Sequence, residues 1–163
     1  MTKYTQKWTL AALFDPLDDG TQYHMSEWPL HTTLADVFAV DITGTTLLTE
    51  IETLLNQTSA LTVRPLRNTQ LGSHDSPVDV TLLEPTDELI SLHTALVRLL
   101  ETHGAVFNTP EYTRDGFLPH VTVRGKQFLK PDTELHIKSV SLIDLFPNSD
   151  WQQRKVVRTF DLK

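Results

Sequence analysis

The chain has 163 residues, 39% of them hydrophobic and 21% charged, a mix that suits one soluble domain or two small fused lobes and excludes intrinsic disorder and collagen-like repeats. It contains no cysteine, which removes zinc-thiolate sites, iron–sulfur clusters and thiol catalysis and points to a reducing cytoplasm. Fourteen basic against 21 acidic side chains give a formal net charge of −7, which argues against duplex DNA as a partner and leaves, if nucleic acid is bound at all, a small or single-stranded piece held locally.

The opening residues lack the apolar stretch of a signal segment, and no later run approaches the about 20 residues of a membrane span. Trp8, Leu10, Ala12 and Phe14 alternate with Thr9 and Ala11, which predicts a central strand. Residues 15–29, with Asp-Pro and Asp-Asp-Gly, read as a loop leading into a strand over 31–37. Leu47, Leu48, Ile51, Leu54 and Leu55 recur at helical spacing behind the cap candidates Gly44 and Thr45, predicting a helix over 46–57. Strands over 61–67 and 78–83 follow, joined by a turn-rich segment that contains His74. A second helix is framed by Thr86 as cap, Asp87 and Glu88 at its positive end, a leucine stripe from Leu89 to Leu100, and Gly104 as its stop. Beyond a loop with Pro110, Gly116 and Pro119, strands are expected over 120–124, 135–145 and 155–162. This order describes an α+β fold with mainly antiparallel sheet, in which each half offers a helix to pack on several strands.

Two tetrapeptides repeat the same pattern 89 residues apart. His31-Thr32-Thr33-Leu34 and His120-Val121-Thr122-Val123 both read His-x-Thr-apolar, both lie on predicted strands, and both follow a proline, Pro29 or Pro119. With 7 histidines and 23 threonines in the chain, about one His-x-Thr arises by chance; the apolar fourth residue and the nearby proline lower the expectation to roughly 0.04. In a strand, residues i and i+2 project from one face about 6.6 Å apart, so each motif is an imidazole beside a hydroxyl. If an approximate two-fold axis relates the halves, the pairs converge on one groove. Such a set suits phosphoryl chemistry without a metal or other cofactor: one histidine takes a proton from water, the other protonates the departing oxygen, and the threonines hold phosphate oxygens. An unperturbed pKa of about 6.5 lets one ring be neutral while the other is charged.

On these residues the chain resembles the two-histidine phosphoesterases, which include 2'-5' RNA ligase-like proteins and RNA 2',3'-cyclic phosphodiesterases. The resemblance spans essentially the whole chain. It implies one domain over 1–163 made of two intertwined α+β lobes with helices outside and a groove between them. It also implies hydrolysis of a cyclic phosphodiester on a nucleotide or RNA end, with His31, Thr33, His120 and Thr122 as the catalytic set. Run in reverse, the same groove would join a 2',3'-cyclic end to a 5'-hydroxyl as a 2'-5' RNA ligase; a groove that binds a phosphorylated nucleotide without turning it over is a further alternative.

Other residues carry less. Arg124, at i+4 from His120, shares its face and is a candidate phosphate clamp or the partner of an exposed carboxylate. Tyr112 and Phe117, and likewise Tyr23 and Trp28, occupy the loops before the motifs, where an aromatic ring stacks on a base or packs under the loop; Tyr112 and Phe117 enter as substrate-binding candidates. His93 and His103 read as packing or dipole residues of the second helix. No histidine or carboxylate spacing supports a metal site, and nothing points to a membrane partner.

Overall fold

A strand that alternates apolar and small polar side chains buries both faces only if something covers each of them, and strand β1 (Trp8–Leu13) is buried throughout. The computed structural model describes residues 6–43, 46–72, 75, 77–123, 129–130 and 133–163. In chain order, β1 is followed by β2 (Gln22–His24), β3 (His31–Ala39), α1 (Leu47–Asn56), β4 (Leu61–Val63), β5 (Pro65–Leu71), β6 (Val78–Leu83), α2 (Asp87–Thr102), β7 (Val106–Phe107), β8 (His120–Thr122), β9 (Leu135–Ile137), β10 (Ser139–Asp144) and β11 (Gln153–Asp161). The main sheet runs β2-β11-β10-β1-β3-β8-β6-β5, with β7 added beside β3. Its pairings are antiparallel, so the fold is α+β with mainly antiparallel sheet.

Two predicted strands each divide in two. The 61–67 segment breaks at Arg64, ahead of Pro65, and the 135–145 segment breaks at Lys138. Both breaks have one cause. β4 and β9 leave the main sheet and pair with each other, Leu61 opposite Ile137, while the chain beyond each break rejoins it as β5 and β10. Two short strands sit where loops were expected: β2, on β11, and β7, on β3.

The helices cover one face. Leu47, Ile51 and Leu55 of α1 and Leu89, Leu92, Leu96, Val97 and Leu100 of α2 join Trp8, Leu10 and Ala12 in one core. Each such fully buried side chain contributes about 1.5–3 kcal/mol relative to exposure. The Thr86 hydroxyl accepts the Leu89 amide at 3.2 Å and caps α2. Beyond the last turn Gly104 takes φ +82°, the left-handed conformation in which the chain turns back. The cap candidates Gly44 and Thr45 lie outside the described residues; α1 has Thr46 at its N-cap, whose hydroxyl donates to Glu50 Oε2 at 2.8 Å.

On the opposite face, Ala11, Leu13, Ile143 and Val156 form a smaller cluster that Leu17, Tyr23, Trp28 and Leu145 pack against. The segment between β1 and β3 thus covers one half of this face. The other half, over β3, β8, β6 and β5, lies open as a groove. Among the described residues no helix is long and apolar enough to cross a membrane.

Candidate active site

The groove floor is set by one pairing. β3 and β8 are neighbours with Thr32 opposite Val121, both buried, and the Thr32 hydroxyl donates to the His120 carbonyl at 2.8 Å. Thr32 also pairs with Ala12, which belongs to the helix-side core, so residues one step either side project into the groove. Carried one residue in each direction, the antiparallel register sets His31 across from Thr122 and Thr33 across from His120. An antiparallel pair has a local two-fold axis normal to the sheet. Here it passes between Thr32 and Val121 and exchanges the motifs. About 6.6 Å along a strand and about 5 Å across put the two histidine Cβ atoms about 8 Å apart on the diagonal. The histidines thus take one diagonal of this four-residue patch and the threonines the other.

The duplication extends to the hydrogen bonds behind the rings. Nδ1 of His31 lies 2.9 Å from the Pro29 carbonyl and Nδ1 of His120 lies 2.7 Å from the Leu118 carbonyl, in each case two residues upstream. A carbonyl only accepts, so each Nδ1 carries the hydrogen. In the neutral ring the lone pair is then on Nε2. This is the arrangement that orients an imidazole for proton transfer.

Two hollows flank these residues and share Thr122. The larger, about 340 Å³, is lined by Thr33, His120 and Thr122, by the apolar Leu71, Val78, Val80 and Leu118, and by Asp36, His93, Tyr112 and Phe117. The smaller, about 260 Å³, is lined by Ser26, Glu27, Trp28, Pro29, Leu30 and His31. Trp28 stacks on His31 with ring centres 4.4 Å apart, and Tyr23 meets the far side of that pair edge-on, 5.4 Å from Trp28. The Tyr23 hydroxyl is buried with no hydrogen-bond partner among the described residues, and burial pushes its phenol well above the ordinary range.

His93 supports the wall of the larger hollow. Its Nδ1–H donates to the Leu34 carbonyl at 2.6 Å, its Nε2 accepts the Arg114 amide at 2.9 Å, and its ring lies flat on Phe117 at 3.7 Å. Arg114 holds φ +55° to present that amide. Burial, and secondarily the Arg114 charge, holds the His93 imidazolium below the usual histidine range against the opposing bond to Leu34.

The structure therefore brings His31, Thr33, His120 and Thr122 onto one face and puts Tyr112 and Phe117 on the adjoining wall; Tyr112 is half exposed. Arg124 and His74 lie outside the described residues. His24 bonds to Ser26 at 2.7 Å, and His136 lies 3.7 Å from Glu134 on the surface. Among the described residues no three His, Asp or Glu side chains gather as a group able to hold a metal. Asp36 was not foreseen. Relative to β1, strand β3 holds two extra residues between Thr33 and Phe38, and these bulges return Asp36 to the groove side. The one hint in the sequence is an aspartate inside the apolar run from Leu34 to Val40.

Comparison with known proteins extends this picture. The sequence model described as "2'-5' RNA ligase superfamily" matches residues 4–148. No curated protein matches the chain. Among solved structures it is similar to TT0787 of Thermus thermophilus, with TM-score 0.60 and 14% identity over 96% of this chain and 97% of that one. A structure described as a phosphoesterase gives TM-score 0.57 and 16% identity over 97% and 98% of the two chains. E. coli LigT complexed with 3'-AMP gives 0.56 and 16% over 97% and 98%. At such identities these likenesses establish the fold.

Proposed function

The chain belongs to the 2'-5' RNA ligase superfamily, a family of phosphoesterases, and from that premise we propose that it hydrolyses a 2',3'-cyclic phosphate, or a related cyclic phosphate, on a nucleotide or RNA end. The observation that carries this reading is the antiparallel pairing of Thr32 with Val121, which, continued one residue each way, faces each histidine with the other motif's threonine. A phosphate centred over Thr32 and Val121 meets an imidazole on each side and a hydroxyl at each remaining corner. One Nε2 takes a proton from water as the water oxygen bonds to phosphorus. The bond from phosphorus to a ribose oxygen breaks, and the other ring, as imidazolium, protonates that oxygen. Thr33 and Thr122 donate to the non-bridging oxygens, where charge accumulates. The nucleoside occupies the larger hollow against Tyr112 and Phe117, and the smaller hollow beside His31 admits the second oxygen nucleophile or leaving group. No cofactor is required for this balance. The acidic chain favours a small nucleotide or RNA terminus over duplex DNA or an anionic membrane. A cytoplasmic setting accords with such a substrate.

A 5'-hydroxyl in place of water would run the reaction towards ligation, and the second hollow on the His31 side, with room for another group beside Ser26 and Glu27, is the feature that favours this second reading. Purified protein is given nucleoside 2',3'-cyclic phosphates with a chelator present, and monophosphate release is followed by phosphorus NMR. Turnover is expected, and His31→Ala and His120→Ala should each lower kcat about 10² to 10⁴-fold. Wild-type rates in both variants would refute the mechanism. Tight binding without product would leave a nucleotide-binding module.

A further inference from the structure

Behind the phosphate-facing end of the larger hollow sits Asp36, three residues beyond Thr33 on β3. At about 3.3 Å per residue the two positions are about 10 Å apart, less what the bulge takes up. That is the reach of one ribose carrying one base. Between Ala35 and Val37 a carboxylate has no packing role, and among the described residues it forms no ion pair. Its Oδ1 accepts the Val37 amide at 2.8 Å, and a carboxylate offers about four lone-pair sites, so most of its acceptor capacity is left for a ligand. Of the side chains lining this hollow with it, both His93 nitrogens are taken by backbone groups, Phe117 presents only a ring, and Tyr112 brings a single hydroxyl, so Asp36 is the one carboxylate among them.

An ionised carboxylate accepts and cannot donate. Two parallel N–H groups on one base edge therefore suit it best, through a bidentate charge-assisted pair. Guanine has that edge in N1–H and the exocyclic amine. Adenine and cytosine place an acceptor nitrogen beside their amine, and uracil flanks its N3–H with two carbonyl oxygens that repel the carboxylate. We propose that Asp36 reads the base and that the preferred substrate is a guanine nucleotide with a 2',3'-cyclic phosphate, free or at an RNA end. This rests on the phosphodiesterase reading for the reaction but not for the base.

The test compares kcat/KM for the four nucleoside 2',3'-cyclic phosphates in wild type and Asp36→Asn, which is nearly isosteric. Wild type should favour guanosine over uridine by about ten- to a hundredfold, as a bidentate base contact does elsewhere. Asp36→Asn should erase most of that ratio, by slowing guanosine and speeding uridine. Calorimetry with guanosine and uridine 3'-monophosphates reads the same preference without turnover. If no cyclic phosphate is cleaved, the phosphodiesterase reading fails while the binding ratio still decides the role of Asp36. No guanine preference in wild type, or equal losses for all four bases in the variant, would overturn the proposal.

Discussion

Replacing His93 by phenylalanine keeps a ring on Phe117 and removes both nitrogens from a site that is 1% exposed. Two backbone groups then lose their partners, the Leu34 carbonyl and the Arg114 amide. A buried polar group left unpaired costs about 1–3 kcal/mol, so the pair costs about 2–6 kcal/mol. Against a total stability of about 5–15 kcal/mol that is a large fraction, visible as a lower urea midpoint. The pH dependence has a definite sign. Because His93 is held below its unfolded value of about 6.5, the unfolded chain binds more protons as pH falls. The contribution of neutral His93 is complete above about pH 6.5 and is lost below it, and His93→Phe should lack this part of the acid destabilisation. Urea titrations at several pH values measure both effects. A stability within about 0.5 kcal/mol of wild type, with the same slope against pH, would refute the assignment of these bonds as structural.

On the proposed mechanism Thr33→Ala and Thr122→Ala would each remove one donor to a charged phosphate oxygen, worth about 1.5–3 kcal/mol, so kcat/KM on a cyclic phosphate should fall about ten- to a hundredfold; unchanged kinetics in either would remove that hydroxyl from the site. Thr86→Ala should cost about 1 kcal/mol in urea unfolding through loss of the α2 cap, without altering kcat. Tyr23 should stay protonated past the ordinary tyrosine pKa of about 10, because burial disfavours its phenolate. Alkaline titration followed by tyrosinate absorbance, compared with Tyr23→Phe, should therefore assign no ionisation step to Tyr23 until the protein unfolds; loss of a step near the ordinary tyrosine pKa of about 10 in the variant would contradict it.

What could be read from the sequence was what is local. The α2 cap at Thr86, its leucine stripe and its glycine stop all act within a few residues, and each is found in place. The alternation that placed Trp8, Leu10 and Ala12 on one side of β1 corresponds to the helix-side core. The His-x-Thr spacing indicated that each imidazole shares a face with a hydroxyl. It could not indicate the crossed register, because which residue opposes which is settled by pairing between distant strands. The division at Arg64 and at Lys138 was hidden for the same reason: both segments remain extended and apolar, and only their partners change. Three residues such as Gln22, Tyr23 and His24 carry too little pattern to distinguish a paired edge from a loop. Asp36 depends on two bulges that appear only when β3 is measured against β1.

The bond from Thr32 to the His120 carbonyl spans 88 positions of chain. During synthesis the first motif emerges long before its counterpart, so on the proposed mechanism a nascent N-terminal half would lack half of the acid–base pair, and recovery of activity on refolding should wait for this long-range contact to close. Lengthening a loop of the intervening stretch costs little by contrast: doubling it adds only about 0.6 kcal/mol of closure entropy. Insertions at its surface turns can therefore lengthen the polypeptide without moving the two motifs relative to each other.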